Sequence, residues 1–466
     1  MRTLLCLVLL FSFRGLTAQF GPPVIIFDSL TRSVDFELGD MDGDGDTDVV
    51  TGSATDSLLV CFLNNGQGLF LDSLHISHLP IYDGPGTIIN ELILMDLDQD
   101  GDQDIIQCLV DQGDVHWYMN DGTGHFGPRT PLLTIGIWTV FGDTADLDAD
   151  GLTDITLWTI GQIAWLRNTG ANGFALEIQP YQNALRNTTV DVDGDGDQDI
   201  VFLKASAFPD EEILHWTANN GNGALGPPTP IATVPFGCSL GHADVEGDGD
   251  EDLLLTRCWA SQQGLHVYLN DGSGAFTLGQ TMLPTVCLHD MEIADLDGDA
   301  DPDLLVHNQL NTLYLPNISG VFGPPQVVSS FTAPNPCWIT IVATADINGD
   351  GFLDVVDSHH AAPGTYLPIQ WYGYFPIIDA IGSVTSDAPF FAPNPLEDRA
   401  RLVLPLALDS RGGIELVDVH GRVVRTLASN GSREVVIERG LLDGGLYVLR
   451  VVAQDGRSTA LRLVVQ

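Results

Sequence analysis

The chain has 466 residues, 44% of them apolar, and a formal charge of −45. That apolar content supplies a sizeable core and excludes a chain kept unfolded by its own charge. The acid is concentrated: residues 19–375 hold 52 Asp and Glu against 6 Lys and Arg, whereas residues 376–466 hold 11 acids and 10 bases. A block this acidic repels nucleic acid and anionic membrane surfaces and calls for cations or water to neutralise it. The change in composition near residue 376 marks a domain boundary.

Residues 1–18 read as a signal peptide, with Arg2 in the n-region, an apolar run over 4–13 and a cleavage point after Ala18. The run is too short to span a bilayer comfortably, which disfavours a membrane anchor, and no transmembrane segment is expected in the mature chain. Cys61, Cys108, Cys238, Cys258, Cys287 and Cys337 remain after cleavage. Export permits disulfides, but spacing does not fix their connectivity.

From residue 40 onwards one nine-residue pattern, Asp-x-Asp-x-Asp-Gly-x-x-Asp, recurs seven times. The first loop carries Asp40, Asp42, Asp44, Asp46 and Asp48, and the second Asp96, Asp98, Asp100, Asp102 and Asp104. The third carries Asp146, Asp148, Asp150, Leu152 and Asp154, and the fourth Asp191, Asp193, Asp195, Asp197 and Asp199. The fifth carries Asp244, Glu246, Asp248, Asp250 and Asp252, and the sixth Asp295, Asp297, Asp299, Asp301 and Asp303. The seventh carries Asp346, Asn348, Asp350, Phe352 and Asp354. Successive starts lie 56, 50, 45, 53, 51 and 51 residues apart, a period that suits one four-stranded blade of a β-propeller.

Each loop runs into a short apolar stretch, such as 105–106 or 253–255, that reads as a buried strand. A second strand then ends in hairpin chemistry, as at Asn120-Asp121-Gly122 and Asn270-Asp271-Gly272. An aromatic residue with Gly or Pro, as at Phe126 and Phe322, opens a third strand, and a fourth leads into the next Asp loop. The region begins with Phe20-Gly21-Pro22-Pro23, the start of a third strand, and stops after a second strand at 369–372. The two ends therefore complete one blade and close the ring, hiding the edge strands. Seven loops predict seven blades.

The loops carry the chemistry. Carboxylates at positions 1, 3 and 5 converge as the backbone curls, position 7 adds a main-chain carbonyl, and position 9 closes the site. Hard oxygen donors in this number suit Ca²⁺ better than Mg²⁺ or a transition metal. An EF-hand is rejected because Thr51, Gln107, Leu157, Phe202, Leu255 and Val306 stand where its bidentate Glu is required, and the flanks are β-rich. An acidic turn without metal is the competing reading, and seven regularly spaced loops, six with four convergent carboxylates and one with three, weigh against it. Glu246 at position 3 is expected to shift the fifth site. Ala300 is expected to strain the sixth at its sharp turn, and Asn348 is a neutral but acceptable oxygen ligand.

These residues resemble the FG-GAP/VCBS repeats of integrin α-subunit propellers and of many exported bacterial proteins, over residues 20–375. The resemblance implies structural Ca²⁺ in the loops, and recognition or adhesion more often than catalysis. It does not fix the ligand.

Residues 376–388 read as a linker. Beyond them, apolar stretches at 400–406, 413–419, 433–437, 445–452 and 459–465, separated by turns, predict a small Ig-like β-sandwich. Pro393-Asn394-Pro395, Gly421-Arg422-Val423-Val424, the 442–447 segment and Arg462-Leu463-Val464-Val465 make residues 389–466 resemble the type A sorting domain of the type IX secretion system. That resemblance implies export through periplasm and outer membrane, with the secretion machinery as partner and a secreted or cell-surface product. An ordinary Ig-like accessory domain is the alternative.

Other features are open to two readings. Trp117, Trp165, Trp216, Tyr314 and Trp371 form a column suited to inter-blade packing or to stacking on sugars. His116 and His215 stand one position before Trp117 and Trp216, His266 holds the same place before Val267, and all three are expected to be structural. His359 and His360 do not recur, and no nucleophile or carboxylate partner can be placed beside them. No Gly-rich phosphate loop, zinc spacing or nucleophile elbow is visible. Cys238 and Cys258 flank the fifth loop symmetrically, so a hairpin around it would set them opposite each other for a cross-strand disulfide; two buried free thiols or a different pairing are the alternatives. The leading function is a non-enzymatic binding or adhesion module for a glycan or an extracellular protein. The alternative is a polysaccharide lyase or hydrolase on a propeller scaffold, a reading that the six basic residues of the region support poorly.

Overall fold

The computed structural model describes residues 19–27, 33–53, 58–78, 90–110, 113–136, 139–159, 161–170, 173–206, 211–235, 237–258, 263–308, 310–330, 340–359 and 368–375 of the acidic region. Beyond it, residues 390–392, 399–403, 413–418, 423–427, 434–440, 442, 445–452 and 458–465 are described. The proposed leader, the linker, Cys337, His360 and Pro393-Asn394-Pro395 lie outside the described residues. The chain divides into two compact units at residue 375. Among the described residues no helix is long and apolar enough to cross a membrane.

The first unit is a seven-bladed β-propeller of four-stranded antiparallel sheets. From the innermost strand outwards, blade 1 comprises Ser33–Gly39, Asp48–Ser53, Leu58–Leu63 and Asp72–His78. Blade 2 comprises Asn90–Met95, Asp104–Leu109, Asp114–Tyr118 and Thr130–Thr134. Blade 3 comprises Thr139–Ala145, Asp154–Thr159, Gln162–Asn168 and Phe174–Gln182. Blade 4 comprises Ala184–Val190, Asp199–Ala205, Glu211–Thr217 and Thr229–Pro235. Blade 5 comprises Gly237–Ala243, Asp252–Arg257, Gly264–Leu269 and Thr277–Met282. Blade 6 comprises Leu288–Ala294, Asp303–Asn308, Asn311–Leu315 and Gln326–Ser330. Blade 7 takes Thr340–Ala345, Asp354–His359 and Ile369–Tyr372 from one end of the region and Val24–Phe27 from the other.

The ring thus closes by pairing Val24 with Trp371 and Ile25 with Gln370, as the complementary ends require. One detail differs from the repeat boundaries drawn on sequence. The strand entering each Asp loop is the innermost strand of the blade that carries the loop, so the loop is a turn within one sheet rather than a connection between two.

The apolar runs after the loops become second strands buried on both faces, as Asp104–Leu109 and Asp252–Arg257 are throughout. They are sandwiched between adjacent blades, which is why they are continuous rather than alternating. At the closure, Val49, Val60 and Phe62 of blade 1 pack against Val356, Ile369, Trp371 and Ile26 of blade 7. The outermost strands, such as Thr130–Thr134, are largely solvated.

Carboxylates on the innermost strands tie neighbouring blades. Asp35 accepts a hydrogen bond from the Leu92 amide (2.7 Å), Glu91 from Phe141 (2.6 Å) and Asp143 from Thr189 (2.9 Å). The second unit has a three-stranded antiparallel sheet, Phe390–Ala392, Arg399–Val403 and Glu434–Glu438. Its four-stranded partner contains Val423–Leu427, Gly413–Asp418, Gly445–Val452 and Ser458–Val465. Ile414, Leu416 and Leu449 of the larger sheet and Ile437 of the smaller are fully buried.

Candidate metal centre

Each Asp loop joins the innermost and second strands of its blade and folds by one rule. The position-1 carboxylate caps the turn: Asp40 accepts from the amides of Gly43 (2.9 Å) and Gly45 (3.0 Å). Asp244 likewise accepts from Gly247 (2.8 Å), Asp248 (3.0 Å) and Gly249 (2.9 Å). The position-5 carboxylate accepts from the position-7 amide, as Asp44 does from Asp46 (3.0 Å) and Asp350 from Phe352 (3.0 Å). Both positions 4 and 6 sit at positive φ, the region that favours glycine. Position 4 holds Gln99 (62°) and Ala149 (55°) in two loops, a demand that sequence inspection missed. Ala300 is held at φ 74°, and its amide still reaches Asp295 at 3.0 Å, so the expected strain is present without loss of the turn.

Position 9 is fully buried in all seven loops. Asp48 accepts from the Met41 amide (3.0 Å) and from the Asn64 amide at the end of the third strand (2.8 Å). Asp104, Asp154, Asp199, Asp252 and Asp303 repeat this pair of bonds, with Asn120, Asn168, Asn219, Asn270 and Asn317 as the distal donors. In the seventh loop the Tyr374 amide takes the place of the Asn. Burial drives these carboxyls up against the opposing effect of the two amide bonds: Asp48 and Asp354 to about 7, and Asp104, Asp154, Asp199 and Asp252 to about 6.

The loops bring the expected donors together. Carboxylate oxygens of Asp40, Asp42 and Asp48 lie within 4.8 Å of one another, as do those of Asp146, Asp148 and Asp154 and of Asp191, Asp193 and Asp199. In the second loop the cluster is Asp96, Asp98 and Asp100. The Oδ1 atoms of Asp42, Asp148, Asp193 and Asp297, all at position 3, are buried and have no hydrogen-bond partner. An anionic oxygen in that state needs a cation or a proton. These clusters can hold a metal ion.

The position-7 side chains turn away from the clusters. Asp46 lies against Gly66 of the following hairpin, where a Cβ would come within 2.5 Å of its carboxylate, and Asp301 accepts from the Ser319 amide (2.7 Å). Only the main-chain carbonyl of position 7 is left for a metal, and Leu152 and Phe352 are therefore tolerated there. Two loops have individual features. The Arg167 guanidinium sits 3.3 Å from Asp148, and the Asn348 amide donates to Asp354 (2.9 Å).

A model of the FG-GAP-like repeat matches residues 40–107, 96–157, 146–202, 191–255, 244–306 and 295–356. The chain belongs to the FG-GAP-like repeat family. No curated protein matches it. Among solved structures it is similar to an Agrocybe aegerita lectin described as recognising non-reducing terminal N-acetylglucosamine, at 22% identity and a TM-score of 0.49, covering 65% of this chain and 81% of that one. It is also similar to BBS1N, solved in complex with ARL6DN, at 11% identity and a TM-score of 0.47, covering 76% and 96%. A Photorhabdus luminescens Tc holotoxin pore aligns at 14% identity and a TM-score of 0.38, covering 97% of this chain and 19% of that one.

In this FG-GAP-like propeller the recurring hairpin Asn does more than form a turn. Asn64 Nδ2 donates to the Ile347 carbonyl at position 2 of the preceding blade's loop (2.8 Å) and to Thr47 (3.1 Å). Asn120 reaches Met41 (3.0 Å), Asn219 Leu147 (2.7 Å), Asn270 Val192 (2.8 Å) and Asn317 Val245 (2.8 Å) in the same way. The Asp loop of one blade is thus latched by the next.

The aromatic column resolves as inter-blade packing. Trp165, Trp216, Tyr314 and Trp371 are buried, and Trp371 donates from Nε1 to the Gly68 carbonyl (3.1 Å). Trp165 and Trp216 press on Gly223 and Gly274 of the next blade, leaving no room there for a Cβ. The recurring histidines are bonded within their blades. His116 meets Arg129 (3.1 Å), His215 the Ile213 carbonyl (2.9 Å) and His266 Arg257 (2.6 Å).

The expected Cys238–Cys258 disulfide is not formed; Cys258 is bonded to Cys287. The register explains the difference. Gly237 pairs with Arg257 and Ser239 with Thr256, so Cys238 falls in a bulge with no cross-strand partner, while Cys258 lies beyond the strand end. Cys61 and Cys108 are buried thiols.

Proposed function

We propose that this FG-GAP-like propeller is a secreted or cell-surface calcium-binding protein that acts as a binding or adhesion module for a glycan or an extracellular protein. The observation that carries the calcium assignment is the set of buried, unpaired position-3 oxygens inside clusters of two further carboxylates. Hard, anionic oxygen donors with one main-chain carbonyl per loop fit Ca²⁺. The ion supplies the positive charge that neutralises each cluster. The protein's own groups fix the turn and latch it to the next blade. On this reading the loops are staples, and recognition falls to residues that do not repeat. Residues 389–466 serve as a type IX sorting domain.

Thermal unfolding at fixed ionic strength tests the metal. Calcium should raise the midpoint and a chelator lower it, because the unfolded chain has no formed site; equal midpoints overturn the assignment. Glycan-array binding of the purified protein with and without calcium tests the ligand class, and no retained glycan would turn the reading to protein partners. Unimpaired secretion after deletion of residues 389–466 would reject the sorting role.

A further inference from the structure

The end of blade 5 remote from its Asp loop gathers a different set of donors. Cys238 lies in the bulge at the start of the innermost strand, and Cys258 just beyond the end of the second strand. Cys287 and His289 come from the entry to blade 6's innermost strand. Ligating atoms of Cys238, Cys258 and His289 lie within 4.8 Å of one another. His289 Nε2 is 3.4 Å from Cys258 Sγ and 3.2 Å from Cys287 Sγ. Four soft or borderline donors therefore converge from two blades. In a tetrahedral zinc site, with bonds of about 2.3 Å to sulfur and about 2.0 Å to nitrogen, neighbouring donor atoms stand roughly 3.5 Å apart. The separations from His289 match that spacing.

We propose that Cys238, Cys258, Cys287 and His289 form a second metal site, specific for Zn²⁺ or a similar soft cation, that becomes available when the Cys258–Cys287 disulfide is reduced. Two molecules of an external thiol supply two electrons and two protons to the sulfurs and leave as their own disulfide. Zn²⁺ then displaces the protons of the three thiols, which pass to solvent, and His289 ligates through its neutral ring. The disulfide and the metal exclude each other, because each uses both Cys258 and Cys287.

The surroundings favour this donor set over the hard sites at the other end of the blade. Thiolate and imidazole donors select zinc over calcium. Three thiolates with Zn²⁺ leave one net negative charge, and the Arg186 guanidinium acts on both Cys238 and His289. Arg186 is held there by donating to the Gly237 carbonyl (3.2 Å), next to Cys238. All three cysteines are half-buried, so the site is reachable by a small reductant and an ion. In either state the cluster ties blade 5 to blade 6.

The test uses the full chain with calcium in excess, so that the Asp loops do not compete for the probe. After reduction with a phosphine, Co²⁺ should bind at one equivalent. It should show the visible absorption of tetrahedral cobalt with thiolate charge transfer, and Zn²⁺ should displace it. Without reduction, and in Cys238→Ser or His289→Gln, affinity should fall by at least about 10-fold. Zinc should raise the thermal midpoint of the reduced protein but not that of Cys238→Ser. The oxidised Cys238→Ser variant keeps the Cys258–Cys287 bond and should melt as the parent does, which separates a lost site from a lost fold. Absence of the tetrahedral spectrum in the reduced parent, or an unchanged spectrum in Cys238→Ser, would overturn the proposal.

Discussion

Asn64 is the side chain on which the closure of the ring can be tested most directly. It is buried and makes four hydrogen bonds: its amide donates to Ile347 (2.8 Å) and Thr47 (3.1 Å), and its carbonyl accepts from the Asn65 and Gly68 amides (2.8 and 3.1 Å). Ile347 belongs to blade 7 and is itself fully buried, so its carbonyl has little access to replacement water. A neutral hydrogen bond contributes about 1 kcal/mol net, and a buried group left unpaired costs about 1–3 kcal/mol. Asn64→Ala should therefore destabilise the propeller by about 3 kcal/mol. Asn64→Asp should do at least as much harm, since a carboxylate cannot donate to the two carbonyls. Asn219→Ala is the internal comparison, because Asn219 likewise donates to Leu147 in blade 3's loop (2.7 Å) and to Gln198 in its own blade's loop (2.9 Å). The assay is denaturant unfolding at saturating calcium, followed by tryptophan fluorescence. A loss below about 1 kcal/mol for Asn64→Ala, or parent-like stability in Asn64→Asp, would refute the latch.

Other expectations follow from the loops and the innermost strands. Asp48→Ala should destabilise the protein even in chelator, because it strands the Met41 and Asn64 amides, whereas Asp42→Ala should lower the midpoint only when calcium is present. Ala300→Gly should relieve the left-handed strain in the sixth loop and raise stability by about 0.5–1 kcal/mol in denaturant unfolding. Arg167→Ala removes the cation beside Asp148, so calorimetric titration should show tighter calcium binding and no loss of fold. Burial first, and Asp35 further, raise Glu91 from 4.5 to about 8, against the Phe141 amide and Arg186. Its folded pKa exceeds its unfolded one, so its contribution is present below about pH 4.5 and is lost as pH rises through about 8. Glu91→Gln should therefore flatten the fall in thermal midpoint across that window, and a parent-like slope would count against the assignment.

Local, repeated features are legible in the residues alone. Nine consecutive residues contain every carboxylate of one cluster, so the convergence of Asp40, Asp42 and Asp48 follows from the pattern and the turn alone. The blade count and the shared closing blade also follow, because both rest on the period and on complementary ends. Contacts between repeats depend instead on the packed ring. Asn64 and Ile347 stand 283 residues apart in the chain, and only the ring brings a hairpin amide onto the previous blade's loop. Position 9 reads as one more ligand, yet it is also a buried anchor for two amides. The Cys238–Cys258 expectation failed on a single bulge, since one extra residue moves a side chain off its cross-strand partner. Cys287 and His289 then entered from the neighbouring blade, at a spacing that matches no linear zinc motif. A periodic sequence specifies the fold of each sheet; which side chains meet across two sheets depends on how the blades pack.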